Sequence, residues 1–120
     1  MTIDEYQQKA MSTCMDRSHN YTYMAEGMVG EMGELMSKVA KGVRKGKMKV
    51  SSNTLVILAS KQERPEILEG LKSELGDILW FVAGMADVMG WSLEEVAQAN
   101  IDKLASRKDR GVIQGNGDNR

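Results

Sequence analysis

The chain has 120 residues, with one His, one Cys and ten Met, and a formal net charge of −1 at pH 7. A length of this order suits one domain with a modest core, and 42% hydrophobic with 28% charged residues excludes a disordered chain. The charge balance argues against nucleic-acid binding by phosphate neutralisation, and no apolar run approaches the roughly 20 residues of a membrane span.

The opening "MTIDEYQQKA" is amphipathic and has no signal-peptide core. Cys14 is the single cysteine, so no intrachain disulfide can form, and a reducing cytoplasm is the natural location. Thr2 and Glu5 have capping-box spacing, and Ile3, Tyr6, Ala10, Met11 and Cys14 keep a helical period, which predicts a first helix over residues 3–15. "DRSHNYT" is a polar connection. A second helix is predicted from Thr22 to Lys41. Residues 42–64 hold a basic, Gly-broken stretch and then "TLVIL", which suits a short strand, a hairpin arm or a helical turn. Pro65 suits the first turn of a third helix over residues 65–89, and Gly90 a stop. Ser92 and Glu95 form another capping box for a fourth helix ending near Arg107. Residues 108–120 are Gly- and Asn-rich and should form an irregular tail, frayed or docked. Four helices without a convincing sheet predict an all-α, four-helix bundle-like domain over residues 1–120.

Two segments carry paired acids where a core is expected: "EMGELMSKVA" (31–40) and "ELGDILWFVA" (74–83). Each reads acid, apolar, Gly, acid, then two apolar residues. At about 100° per residue, Glu31/Glu34 and Glu74/Asp77 fall on the same border of their apolar stripes. If the stripes pack together, four carboxylates converge at one edge, with Gly33 and Gly76 leaving room for a ligand or a close backbone. A lone E-x-x-E is ordinarily a solvated helix face; two matched in phase point further. Converging carboxylates repel and are costly to desolvate, and a divalent cation relieves that cost. Oxygen-only ligands select a hard cation, Mg²⁺ or Mn²⁺, which leaves positions for phosphate. A di-iron bundle wants two Glu-x-x-His motifs, whereas His19 is the single His and should be an exposed polar residue.

The fourth helix adds Asn100, Lys103 and Arg107 at i, i+3 and i+7, on one face. A helix C-terminus favours cations through its dipole; the functional alternative is that Lys103 and Arg107 hold phosphates while Asn100 orients a phosphate, a sugar hydroxyl or a carboxylate. Lys38 and Lys41, one and two turns beyond Glu34, are further phosphate candidates on a basic helix end. Tyr6, Gln7, Tyr21, Tyr23 and Trp80 are candidates to stack on or hydrogen-bond a base.

The order E-x-x-E, E-x-x-D, then an Asn/Lys/Arg helix resembles the MazG-like all-α nucleoside triphosphate pyrophosphohydrolases. The segment "ELGDILWFVAGMADVMGWSLEEVAQANIDKLASR" carries the likeness most strongly, and the ending "RGVIQGNGDNR" is similar to small stand-alone members, phage-encoded ones included. The resemblance spans about residues 20–120. It implies hydrolysis of (deoxy)nucleoside triphosphates between the α- and β-phosphates, for nucleotide-pool control or sanitation. It also implies Mg²⁺ on Glu31, Glu34, Glu74 and Asp77, Asn100, Lys103 and Arg107 on substrate, and a homo-dimer or homo-tetramer. Within that reading Glu34 is the expected general base, and Lys38, from its place on the helix, a further substrate contact. The spacer from Glu34 to Glu74 is longer than the family pattern, so residues 42–64 read as an insertion. Two other readings stand beside this one: a non-enzymatic helical module that binds a partner through Met-rich faces, and a pyrophosphohydrolase of another compound such as phosphoribosyl-ATP.

Overall fold

A computed structural model describes residues 1–120. Four helices dominate: α1 (Ile3–Met11), α2 (Tyr21–Arg44), α3 (Arg64–Val88) and α4 (Leu93–Asp109). A 3-10 turn (Asp16–Ser18) joins α1 to α2, and a hairpin of β1 (Met48–Ser51) and β2 (Thr54–Ile57) lies between α2 and α3. The all-α reading holds, with the hairpin as a small addition, and "TLVIL" is a hairpin arm.

The helix ends follow local chemistry. Thr2 and Ser92 make both capping boxes, with Glu5 and Glu95 bonding back to the cap amides. Asn20 caps α2 by accepting from the Tyr23 amide at 2.9 Å. α1 stops four residues short of its predicted end because the Ser12 and Thr13 hydroxyls donate to the Lys9 and Ala10 carbonyls, each at 2.6 Å, and break the ladder. Gly90, at φ +77°, turns the chain after α3 so that the Trp91 amide reaches the Ala86 carbonyl at 2.8 Å. α2 instead runs past its predicted stop, through Gly42. That glycine is a packing position: a Cβ on it would lie 2.6 Å from Met48 Cγ. Met48 is buried there and pins the hairpin to α2. Ser52 and Asn53 both take positive φ, as a two-residue hairpin loop requires.

The main packing is antiparallel α2 against α3, interlocked by two glycines. The Phe81 ring fills the space a Cβ of Gly27 would take, and Met24 fills that of Gly84. Tyr23 and Trp80 hold Phe81 in place, with ring centroids 5.8 Å and 5.0 Å away. Gly33 and Gly76, by contrast, face open space, so no backbone approaches there. The apolar stripes expected from the sequence are only partly covered: Met32 is 55% and Leu75 60% exposed, while Phe81, Ala83, Gly84 and Ala86 form the buried face of α3.

α1 closes one end. Ala10, Ala83, Ala86 and Leu93 make a small core, flanked by Tyr6, Met11, Trp80 and Val82. Buried Gln7 ties three elements together: its amide nitrogen donates to the Ala83 and Trp91 carbonyls, and its oxygen accepts from the Leu93 amide at 2.8 Å. The Trp80 indole N–H reaches the Ala10 carbonyl at 3.1 Å and the Thr13 hydroxyl at 2.9 Å. His19, half-exposed, meets the Asp87 carboxylate at 2.6 Å.

The two kinds of glycine should separate experimentally. Gly27→Ala drives a methyl into a clamped ring and is expected to cost about 1–3 kcal/mol. Gly33→Ala meets nothing and should stabilise α2 by up to about 1 kcal/mol. Thermal and urea unfolding of the two variants checks the contrast; equal effects would refute the interlock.

Candidate metal and active site

The α2–α3 interlock sets a register that continues along both helices. One turn beyond Gly27, Glu31 comes beside Asp77, which is one turn before Phe81. Ligand oxygens of Glu31, Glu74 and Asp77 all lie within 4.8 Å of one another. Glu31 is half-buried, Glu74 is 9% exposed and Asp77 is open to solvent. Burial raises the Glu31 carboxyl above its ordinary value. Repulsion from Asp77 and Glu74, a hydrogen bond with Glu74 and the charge of Glu34 push it the same way. This carboxyl is therefore held in a site already crowded with negative charge.

Glu34 lies one turn further along α2, exposed and outside the three-acid group. It acts on the cluster through its charge on Glu31. Lys38, one turn further still, turns back toward the acids. Its ammonium lies 2.7 Å from Glu74 Oε1 and donates to the Gly70 carbonyl at 3.2 Å. The sequence alone marks Lys38 as a phosphate candidate on a basic helix end; its contact with Glu74 is a finding of the fold, signalled only by its spacing of seven from Glu31 on the same face.

The α4 residues are placed differently. Asn100 and Lys103 are exposed and share no hydrogen bond or ion pair with the acids. Arg107 does not stand on an open face beside them. It is 4% exposed, donates to the Asp118 carbonyl at 2.9 Å and lies 3.6 Å from the Asp118 carboxylate. The cause is the tail, which docks rather than frays. Arg120 donates to the carbonyls of Val112, Gly117 and Ile113, Arg110 donates to the Arg120 carbonyl at 2.6 Å, and the resulting loop encloses the Arg107 guanidinium. Arg107 Nε is left without a partner inside it.

Among the candidates for base contact, Gln7 and Trp80 have their polar groups engaged in the fold. Tyr21 and Tyr23 remain exposed. Tyr6 sits close enough to Asp77 that the carboxylate adds to burial in raising its phenol above the ordinary value.

Three clustered carboxylates with one lysine counter-charge make a hard-oxygen donor set that fits a divalent cation of the Mg²⁺ or Mn²⁺ type. The donors come from both paired-acid segments, so the helix packing itself assembles them. No helix of the chain is long and apolar enough to cross a membrane.

Residues 19–112 match the family model of the MazG nucleotide pyrophosphohydrolase domain, a span that contains all the acids of the site. The chain is 38% identical over 127 aligned positions to the Gene 37 protein of Mycobacterium phage L5, with the full length of both chains covered. No solved structure matches it. With its four helices, its paired acids and both of these matches, the chain belongs to the MazG nucleotide pyrophosphohydrolase domain family.

Proposed function

We propose that this protein hydrolyses (deoxy)nucleoside triphosphates between the α- and β-phosphates, releasing monophosphate and pyrophosphate, in nucleotide-pool control or sanitation in the cytoplasm. The observation that carries this reading is the carboxylate cluster of Glu31, Glu74 and Asp77, built across the α2–α3 seam. Mg²⁺ is the proposed ion, with Glu34 joining the set. When bound, it would supply Lewis acidity toward the triphosphate and a more acidic water.

The remaining work falls to the chain's own side chains. Glu34 is exposed and one turn from Glu31, so its carboxylate is open to accept the proton of an attacking water. A water O–P bond forms at the α-phosphorus, the bond from the α-phosphorus to the α,β-bridging oxygen breaks, and pyrophosphate leaves with that oxygen and the electron pair. Lys38, already beside Glu74, is within reach of phosphate. Asn100 and Lys103 remain candidates for phosphate contacts; within one chain they do not join the acids. Arg107 would have to leave its tail contacts to do so.

Assembly follows from the exposed surface. The accessible area is 8677 Å², against roughly 6,500 Å² for a folded monomer of this mass. The radius of gyration is 17.8 Å, against about 14 Å for a compact chain of this length. Beyond its first turn α4 leaves Ile101 and Leu104 uncovered, and Ile101 is 59% exposed. These surfaces support a homo-dimer or homo-tetramer that buries α4.

Incubation with a panel of ribo- and deoxyribonucleoside triphosphates and Mg²⁺ should give monophosphate and pyrophosphate. Product analysis with phosphoribosyl-ATP separates the related activity. Glu74→Gln should lose at least about 100-fold in kcat/KM, on the scale of removing one electrostatic catalytic group; full activity in this variant or in Glu34→Gln would sink the reading, as would no turnover of any nucleotide. Glu31→Gln should abolish the rise in Tm on adding Mn²⁺. Its ion-free Tm should be no lower than the parent's, because a repelled carboxylate has been removed. For the assembly, Ile101→Asp with Leu104→Asp should shift the mass measured by light scattering toward that of one chain.

A further inference from the structure

One turn of α3 away from the acids, a cavity of about 460 Å³ opens between the end of α2, the base of the hairpin and the start of α3. Four lysines line it, Lys38, Lys41, Lys45 and Lys47, with two acids, Glu63 and Glu66. Lys47 is paired with Glu63 at 2.6 Å and Lys38 with Glu74 at 2.7 Å. Lys41, Lys45 and Glu66 have no ion-pair partner, so the unpaired charge around the cavity is two ammonium groups against one carboxylate. The dipole at the end of α2 accounts for basic residues in its last turn. It does not account for Lys47, which the hairpin supplies, or for Lys38, which sits well inside the helix.

Lys38 belongs to both places. It lines the cavity, yet its ammonium rests on Glu74, a member of the acid cluster, and on the Gly70 carbonyl in the cavity wall. An ammonium has three donors, and these two acceptors leave one unused. A divalent cation drawing on Glu74 would repel this ammonium and compete with it for the same oxygen.

We propose that the lysine-lined cavity seats the two phosphates that leave as pyrophosphate, and that Lys38 passes from Glu74 to this anion when a divalent cation takes the carboxylate. The proposal rests on the reading that the acid cluster holds the cation. In the ion-free protein Lys38 is the resident counter-charge of a repelling cluster. With ion and substrate present it joins Lys41 and Lys45 along one wall, where each contact with phosphate is charge-assisted. The arrangement also gives the substrate a direction: phosphate tail toward the hairpin, nucleoside toward the open end near Tyr6 and Tyr23.

The test measures two affinities, which should move in opposite directions. Mn²⁺ alone is titrated by electron paramagnetic resonance into the parent, Lys38→Met and the double variant Lys41→Met/Lys45→Met. Pyrophosphate is then titrated calorimetrically at saturating Mg²⁺. Lys38→Met should bind Mn²⁺ several-fold tighter, because the competing cation is gone, yet bind magnesium pyrophosphate about tenfold more weakly, the scale of one lost charge-assisted bond. The double variant, altered only at exposed positions, should leave Mn²⁺ affinity nearly unchanged and weaken magnesium pyrophosphate by at least as much. A Lys38 that merely supports the fold would weaken both affinities, and that result overturns the exchange. Unchanged pyrophosphate binding in the double variant overturns the cavity assignment. If Mn²⁺ binding does not depend on Glu74 when Glu74→Gln is measured alongside, the metal reading itself falls; if it does depend on Glu74 while Lys38→Met changes neither affinity, this proposal alone falls.

Discussion

The close approach of α2 to α3 at Gly27 is the constraint on which the rest depends. A phenyl ring occupies the volume a side chain would need there, and one turn away Met24 does the same at Gly84. Two such interlocks, one in each direction, leave little freedom to slide one helix along the other. With that register fixed, everything downstream on α2 meets everything upstream on α3: Glu31 meets Asp77 and Glu74, and Lys38 meets Gly70 and Glu74. Burying Phe81 contributes about 2–3 kcal/mol in transfer terms. That packing holds Glu31 half-buried among the other carboxylates, and burial first, then their negative charge, raises its carboxyl. The cluster is thus crowded with charge and held by shape.

The other end of the molecule is held by polar groups rather than by bulk. Its core is mostly alanine, and Gln7 uses both ends of its amide to join α1, α3 and the start of α4. This arrangement fixes where α4 begins. Beyond the first turn, the helix is constrained mainly by the tail folded against Arg107. The consequence is a long helix with apolar residues on its surface, Ile101 and Leu104 among them, and an Asn100/Lys103 face that makes no hydrogen bond or ion pair with the acids.

Periodicity, caps and the matched acids made the helices, their order and three of the cluster's carboxylates legible in the sequence. These are local signals: a capping box spans four residues, and an acid's phase against its stripe needs only one helix. What the sequence did not show depends on pairs of distant residues. Gly42 reads as a helix breaker until Met48 is known to lie on it. Gly33 and Gly76 look important because they sit between acids, yet the glycines that matter for packing are Gly27, Gly42 and Gly84, each facing a large side chain from another element. Arg107 has the right phase on α4 for a ligand contact, but phase along one helix cannot foretell that eleven residues later the chain returns to enclose it. The Lys38–Glu74 contact is hidden for the same reason, since Glu74 belongs to a helix that follows a long excursion.

That excursion has a structural logic of its own. A two-stranded hairpin is marginal when isolated, so residues 48–57 need anchoring, and they have it in Met48 against Gly42 and in the Lys47–Glu63 ion pair at the foot of α3. Both anchors lie on the same side, and together they make the hairpin a third wall beside the ends of α2 and α3. Without it, the lysines at the end of α2 would be solvated charges on a bare helix terminus, screened and worth little. With it, they border an open-sided cavity of about 460 Å³ with a hairpin wall facing them. The long spacer between the two acid pairs thus supplies one wall of a lysine-lined cavity one turn of α3 from the acid cluster. Lys38, which lines that cavity and pairs with Glu74, is the residue common to both.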